Sequence, residues 1–287
     1  MGKQFWDYLN DEDAEKVRSI NQEIKQLKEA TPITFKGAVA FIDVLGWKGL
    51  WRDDKNALNK ITAIIKNIEV GKNFLIKALI KKYKVEKPNL FKENEDCFIK
   101  AIGVSDTIAI FVEDKCSQGI SFCYALLSQV VHEAAEEKIF LRGAISYGDF
   151  LFLNNTDFFI GEAVDEVAEW YDSCNWTGII LTPKASNMWN TLECIMKAID
   201  PRGKDNRFIR YNGIPFKESI LNRYDKKELD RLYVLNFIHN SDLFKLKDST
   251  EEMLRILVKE NKSQYILDKY LNSLKFIKYI EENSLRS

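Results

Sequence analysis

Histidine is the scarcest reactive residue in this sequence, since only His132 and His239 occur among 287 residues. They are far apart in the chain, and His132 lies in a segment with helical periodicity. A histidine in such a pattern more often completes a packed or solvated face than a catalytic site. Zinc sites and histidine-based acid–base chemistry are therefore not expected. Any catalysis would use carboxylates, basic side chains and metal ions.

Cysteine motifs are also missing. The cysteines are scattered without the C-x-x-C spacing of a zinc site or a redox pair, and they do not form a disulfide framework. We expect reduced thiols in the core. The five residues are Cys97, Cys116, Cys123, Cys174 and Cys194.

An excess of positive charge and long apolar runs are absent too. Lysine and arginine total 42 residues against 43 aspartates and glutamates, so no global field favours a nucleic-acid partner. No segment reaches the ~18 consecutive apolar residues of a membrane span. The charged N-terminus lacks the apolar run of a signal peptide. We therefore expect a cytoplasmic protein with no nucleic-acid partner and no membrane partner.

What the sequence does contain is enough apolar material for a large core, with 46% hydrophobic side chains. Strand-like runs alternate with helical patterns, and no series of βαβ repeats appears. We therefore predict an α+β fold, in which a mostly antiparallel sheet is covered by helices and extended by helical N- and C-terminal segments. The predicted units are an N-terminal helical segment at 1–34, a central domain at 35–200 and a helical C-terminal extension at 201–287.

The predicted strands and helices follow from periodicity. The first strand is GAVAFIDV from Gly37, a short apolar run that suits burial on both faces. A hairpin is predicted where two polar residues separate two strands, and a turn is predicted at Gly148 and Asp149. A later strand is predicted to stop at Pro183. The elements in order are a helix at 5–30, the first strand, helices over 56–82, strands at 97–104 and 107–114, a helix from Ser117, strand material over 140–153, a helix at 161–173 and a strand at 177–183.

Two aspartates stand at strand ends. Asp43 ends the first strand, and Asp106 lies in the turn of the predicted hairpin. Neighbouring central strands would bring the two carboxylates to one edge of the sheet. Two such charges raise each other's proton affinity unless a cation lies between them. Hard oxygen ligands favour Mg²⁺ or Mn²⁺, and two ions can activate a hydroxyl and stabilise a leaving phosphate.

The loop GWKGLWR after Asp43 fits a phosphate cradle. Its glycines allow close backbone approach, and Lys48 and Arg52 add positive charge. Simpler interpretations stay open. An aspartate after a strand is often a turn residue or a helix cap, and Lys48 and Arg52 also suit solvated loop positions.

Four segments together resemble one family. FIDVLGW, GVSDTIAIF, LRGAISYGD and FFIGEAVDEVAEW resemble motifs of the class III nucleotide cyclases, in the family's order, over residues 37–183. The resemblance implies that Asp43 and Asp106 bind two Mg²⁺ or Mn²⁺ ions, with the Val44 carbonyl as a further ligand. It implies a phosphorus–oxygen lyase that forms a 3′,5′-cyclic nucleotide and pyrophosphate. It also implies a homodimer with active sites shared between the subunits.

The chain departs from the family pattern at two places. Asp165 and Glu169 stand where the family's catalytic helix carries asparagine and arginine. Ile102 and Phe158 fall, within a residue, where the family's adenine-reading lysine and aspartate lie. With DVLGWKGLWR, these departures resemble the bacterial Pycsar pyrimidine cyclases, anti-phage enzymes that make cyclic UMP or cyclic CMP for a neighbouring effector protein. The resemblance therefore implies a uridylate cyclase, with cytidylate cyclase next.

Further candidates for substrate binding each have two interpretations. Trp51 either stacks on the pyrimidine or anchors the core. Arg142 either reaches the substrate or the partner subunit, or forms an ion pair with a buried carboxylate. Asp165 and Glu169 either orient the ribose hydroxyl or a basic partner, or form a solvated acidic face. Two other functions stay open: an adenylate or guanylate cyclase, and a catalytically degenerate module that binds nucleotide.

Overall fold

The structure is a computed structural model. It describes residues 15–16, 19, 32–45, 56, 59–60, 62–68, 70–73, 98–104, 106–114, 119–137, 139–153, 156–200, 206–236 and 240–284. Most of the predicted N-terminal helix and the capping role of Ser117 lie outside the described residues. The same holds for the loop predictions at Lys48, Trp51 and Arg52.

One sheet organises the described part of the chain. Its strands are β1 (Pro32–Val44), β2 (Ile99–Val104), β3 (Thr107–Glu113), β4 (Leu141–Leu153), β5 (Phe159–Ile160), β6 (Gly178–Leu181), β7 (Phe208–Arg210) and β8 (Tyr233–Leu235). Their order across the sheet is β2-β3-β1-β4-β6-β8-β7, and β5 pairs with β4. Among the described pairs only β4 and β6 run parallel. The predicted α+β class with a mostly antiparallel sheet is therefore confirmed.

Helices cover the sheet and fill the C-terminal part. They are α1 (Gly119–Glu136), α2 (Glu162–Trp170), α3 (Pro183–Ile199), α4 (Glu218–Leu221), α5 (Lys226–Leu229), α6 (Asn240–Lys259) and α7 (Gln264–Ser284). Helical residues also occur between β1 and β2, at 59–60, 62–68 and 70–73. No helix in the described ranges is long and apolar enough to cross a membrane.

The central position of β1 follows from its sequence, because residues 38–40 and Ile42 are apolar and completely buried. It pairs antiparallel with β3 on one side and with β4 on the other. Helical residues precede β2, and α1 joins β3 to β4. The first four strands thus form a split βαβ arrangement, which brings the end of β1 next to the β2–β3 hairpin.

The predicted turn at Gly148 and Asp149 is wrong, because β4 continues through both residues. Gly148 lies opposite Gly37 of β1. A Cβ on Gly37 would lie only 2.0 Å from the carbonyl oxygen of Val112. Gly37 therefore permits close approach of neighbouring strands, a role that glycine also has inside strands. The long β1–β4 pairing continues past the position of the expected turn.

The C-terminal part is helical at α6 and α7, as predicted, but it also adds β7 and β8 to the sheet. Each of these strands has three residues, too few to show a clear period. Helix α6 packs against α1, where Lys245 pairs with Glu136. Helix α7 packs against α6. The division of the chain at residues 34 and 200 stays a prediction.

Gly161 fixes the entry to α2, with φ 133° and ψ 174°, a region that only glycine occupies readily. A Cβ there would lie 2.7 Å from the Asp149 carbonyl oxygen. We expect Gly161→Ala to lower the free energy of unfolding, measured with urea, by about 1–3 kcal/mol or more. Gly148→Ala is the control, since its Cβ would meet Ala163 at an ordinary 3.8 Å. Equal losses in the two variants would contradict this expectation.

Candidate active site

Asp43 and Asp106 come together at one edge of the sheet. Asp43 pairs with Thr107 in the β1–β3 register, which puts it beside the hairpin turn that carries Asp106. The backbone N–H of Val44 donates to the carbonyl oxygen of Asp106 at 3.1 Å. The charge on Asp106 contributes to raising the pKa of Asp43. The juxtaposition that the strand ends predicted is therefore present.

Arg142 holds the Asp43 carboxylate. It lies opposite Asp43 in the β1–β4 register, and its Nε and Nη2 are 2.7 and 2.6 Å from Asp43 Oδ2. Its Nη1 donates to the carbonyl oxygens of Asp172 and Cys174, both at 3.3 Å. Of the two interpretations of Arg142, the structure shows the ion pair with a buried carboxylate. Contact with substrate stays a prediction.

Burial dominates the protonation of Asp43, which is only 8% exposed. Desolvation raises its pKa most, and the charges of Asp106 and Asp172 raise it further, while Arg142 lowers it. The net effect is a raised pKa, because one guanidinium does not offset burial together with two neighbouring carboxylates. A further cation beside Asp43 would favour its ionised form.

The carboxylates present fit a hard divalent ion. Both Arg142 nitrogens bind Oδ2 of Asp43, and Oδ1 accepts no hydrogen bond from the described residues. The Asp106 carboxylate likewise makes no ion pair within the described ranges. No group of three or more His, Cys, Asp or Glu residues there forms a complete metal cage. That arrangement suits Mg²⁺, which commonly combines one or two carboxylates with water and substrate phosphates. The role of the Val44 carbonyl stays a prediction.

Two lysines from the C-terminal part join this cluster. Lys217 Nζ lies 2.5 Å from Asp172 Oδ2. Lys269 of α7 is close enough to the Asp43–Arg142 pair for both charges to affect its pKa. Neither lysine could be predicted from the sequence, because no local motif marks them and only the tertiary fold brings them close to β1.

An apolar groove of about 530 Å³ lies next to this edge, because its lining includes Thr107, which follows Asp106 and pairs with Asp43. Phe41 and Phe111 form part of its floor, and Ile102 and Phe158 both line it. These last two are the residues that stand where the cyclase family reads adenine. The polar side chains in the lining are few: Thr107, Asp157 and Tyr171. Asp157 is already paired with Lys100.

The two candidate residues of α2, Asp165 and Glu169, have different surroundings. Glu169 pairs with Arg223 and accepts a hydrogen bond from the Tyr224 hydroxyl at 3.3 Å. Asp165 is exposed and has no ion pair among the described residues. The structure gives neither residue a contact with Asp43 or Asp106 within the described ranges. Their roles toward ribose stay predictions.

The segment predicted to bind phosphate follows Leu45 in the chain. Leu45 is the last described residue before this segment. The N–H of Leu45 donates a 2.8 Å hydrogen bond to the Phe140 carbonyl oxygen. Lys48, Trp51 and Arg52 follow Leu45 in the chain but lie outside the described residues. Their assigned roles stay predictions.

Comparisons with known proteins find similar solved structures at low sequence identity and low TM-score. No protein-family model matches the chain, and no curated protein matches it. One similar solved structure is the catalytic core of a rhodopsin-guanylyl cyclase with converted specificity in complex with ATPαS. It shows 10% identity and a TM-score of 0.37, over 55% of this chain and 82% of that one. Another is a bacterial light-regulated adenylyl cyclase, with 11% identity and a TM-score of 0.38, over 86% of this chain and 75% of that one. At these values neither likeness supports a conclusion about activity, so the function is inferred from the chain's own residues.

Proposed function

We propose that this protein is a metal-dependent nucleotide cyclase that converts UTP, or next CTP, to the 3′,5′-cyclic nucleotide and pyrophosphate. The main support is the position of Asp43 and Asp106, two neighbouring carboxylates with free oxygens beside an apolar groove. The cyclase-like motifs in the sequence add to this support. The reaction class joins the 3′ oxygen to the α-phosphorus and breaks the bond from that phosphorus to the oxygen that bridges to the β-phosphate.

Each residue of the site has a separate role in this proposal. Mg²⁺ or Mn²⁺ bound by Asp43 and Asp106 would lower the pKa of the attacking hydroxyl and neutralise charge on the leaving pyrophosphate. Arg142 fixes the orientation of Asp43 through two hydrogen bonds to one oxygen, which leaves Oδ1 available. Lys217 pairs with Asp172, so the third carboxylate of the cluster already has a counter-charge.

The groove favours a pyrimidine over a purine in this proposal. Ile102 and Phe158 provide apolar contact, where the resembled family uses a lysine and an aspartate to hydrogen-bond adenine. Asp157, next to Phe158, is engaged by Lys100. Base recognition would therefore depend on packing against rings and on the few polar groups of the rim.

Phe158 is 56% exposed and lines this groove. Stacking of a base on an aromatic ring is worth about 1–3 kcal/mol. We expect Phe158→Ala to raise the KM for UTP by roughly tenfold with a smaller change in kcat. Phe244→Ala is the matched control, because Phe244 is 59% exposed on α6. An unchanged KM in Phe158→Ala would contradict base stacking at this position.

A homodimer is part of the proposal. Phe158 at the rim of the groove and Ile160, two residues further along the chain, are large apolar residues that remain 56% and 47% exposed. A second copy of the chain that covers this rim would complete the site, as the resemblance implies. The cyclic nucleotide would then act through an effector protein in anti-phage defence. Light scattering at working concentration tests the dimer, and a monomer that still cyclises UTP would contradict shared sites.

A second candidate function is a module that binds nucleotide without catalysis. It is favoured by the Glu169–Arg223 pair, since α2 offers no free cationic donor at the position where the family has arginine. The two functions are separated by measuring UTP binding by calorimetry and pyrophosphate release with Mn²⁺ in parallel. Binding with release supports the cyclase. Binding with no release and no cyclic product supports the module.

A further inference from the structure

Lys269 is a cation without an anionic partner in the part of the chain that the structure describes. It lies half-buried on α7, and its Nζ is 4.8 Å from the centroid of the Tyr265 ring. The other two lysine or arginine side chains in this cluster are paired. Arg142 is bound to Asp43, and Lys217 to Asp172. Among the described residues, Lys269 is thus the one cation of the cluster that no carboxylate binds directly.

Helix α7 is fixed where Lys269 lies. The Tyr265 hydroxyl donates to Asn175 Oδ1 at 3.1 Å, and Asn272 Nδ2 donates to the Asn175 carbonyl oxygen at 3.2 Å. Ser273 Oγ accepts the Thr177 N–H at 2.7 Å in a buried position. These contacts flank Lys269 on both sides along the helix. The fold therefore fixes the backbone of α7 at Lys269, and the ring of Tyr265 contacts its ammonium.

The segment at residues 172–177, which contacts α7, also contacts Arg142. Residues 172–177 hold α7 on one side, and on the other their Asp172 and Cys174 carbonyl oxygens accept hydrogen bonds from Arg142. The ring of Tyr270, next to Lys269, contacts Phe140, the residue before β4, with ring centroids 5.2 Å apart. Helix α7 thus brings a lysine to the edge where Asp43 and Asp106 lie.

The surroundings of Lys269 disfavour its charge. Burial lowers its pKa most, and Arg142 and Lys217 lower it further, while Asp43 and Asp172 act in the opposite direction. These four groups come from β4, the segment before α4, β1 and the segment after α2. A folded protein that keeps an ammonium in such a place gains no stability from it. The charge would be stabilised by an anion that arrives from solvent.

We propose that Lys269 is an anion-binding residue of the candidate active site and that its ligand is a polyphosphate chain. The anion site rests on the unpaired ammonium of α7, and the ligand class rests on the proposed function. Lysine binds phosphate oxygens as a compact point charge with three donors. The C-terminal helices would then contribute to substrate binding as well as to the fold.

Calorimetry with the full chain tests this with inorganic tripolyphosphate and, in a second arm, pyrophosphate. Lys269→Gln is expected to weaken tripolyphosphate binding at least tenfold, and Lys269→Arg to retain it. The control is Lys278→Gln on the same helix, which removes the same charge from a 74% exposed side chain and is expected to bind as the wild type does. A larger loss for tripolyphosphate than for pyrophosphate identifies the substrate chain. Equal losses identify the pyrophosphate group that substrate and product share.

Thermal unfolding separates binding from a structural role. Without ligand, Lys269→Gln is expected to unfold at the wild-type temperature or above it, and to lose the rise that tripolyphosphate gives the wild type. Equal tripolyphosphate affinities for Lys269→Gln and Lys278→Gln would overturn the inference. If tripolyphosphate binds through Lys269 but no nucleotide is turned over, the anion site stands and the cyclase proposal fails. If UTP is cyclised with an unchanged KM in Lys269→Gln, the cyclase stands and this inference fails.

Discussion

Asp106→Asn is expected to lower the rate of cyclic nucleotide formation by roughly 10³-fold or more, because a carboxylate that holds a catalytic metal is worth several kcal/mol in the transition state. The change keeps the size of the side chain and removes its charge. Asp106 makes no ion pair within the described residues, and it lies in a turn between β2 and β3. The free energy of unfolding should therefore change little. Activity and stability are predicted to separate in this variant.

The matched control is Asp248→Asn, which makes the same chemical change on the exposed face of α6. It should leave both rate and stability as in the wild type. Rates are measured as pyrophosphate release with UTP and Mn²⁺, and stability by urea denaturation. An Asp106→Asn enzyme with full activity would contradict the metal assignment. A loss of activity that only follows a loss of folded protein would contradict the predicted separation.

Arg142→Met is expected to reduce the free energy of unfolding by about 3–5 kcal/mol, because it leaves a buried carboxylate without its counter-charge. The two side chains are only 12% and 11% exposed, and Asp106 and Asp172 already oppose ionisation of Asp43. The variant also leaves the carbonyl oxygens of Asp172 and Cys174 without a donor. Urea denaturation measures the loss.

The double variant Arg142→Met with Asp43→Asn identifies the source of that loss. Removing the unpaired charge should recover a large part of the stability, with a coupling energy of about 0.5–3 kcal/mol between the two positions. The double variant should have no cyclase activity, because Asp43→Asn removes a proposed metal ligand. Lys184→Met provides an exposed comparison, since its pair with Glu162 leaves the side chains 50% and 71% exposed and should cost at most about 1 kcal/mol. Similar losses in Arg142→Met and Lys184→Met would contradict the importance of burial.

The proximity of Asp43 and Asp106 could be predicted from the sequence, because it depends on features that lie close together in the chain. An apolar run that ends at Asp43 and a hairpin with two turn residues before Thr107 place both carboxylates at strand ends. Only the neighbouring positions of β1 and β3 had to be assumed. The structure shows that pairing, with Asp43 opposite Thr107.

The remainder of the cluster could not be predicted because it depends on long-range register and docking. Whether Arg142 faces substrate or a carboxylate depends on its alignment with Asp43, which a shift of one residue in β4 would change. Lys217 and Lys269 reach the site only because β7, β8 and α7 return to the sheet. The error at Gly148 has a related cause, since a glycine-aspartate pair marks a turn by composition while cross-strand packing with Gly37 favours a continuous strand.

The most direct test of the proposed function is incubation of the purified protein with ATP, GTP, CTP and UTP, each with Mn²⁺, followed by identification of the products by mass. We expect one 3′,5′-cyclic pyrimidine nucleotide, cyclic UMP first and cyclic CMP next, with an equal amount of pyrophosphate. Asp106→Asn in the same assay should give no product. A cyclic purine product would contradict the assignment of the groove while leaving the metal carboxylates in place. The absence of a cyclic product from all four nucleotides would contradict the cyclase proposal itself.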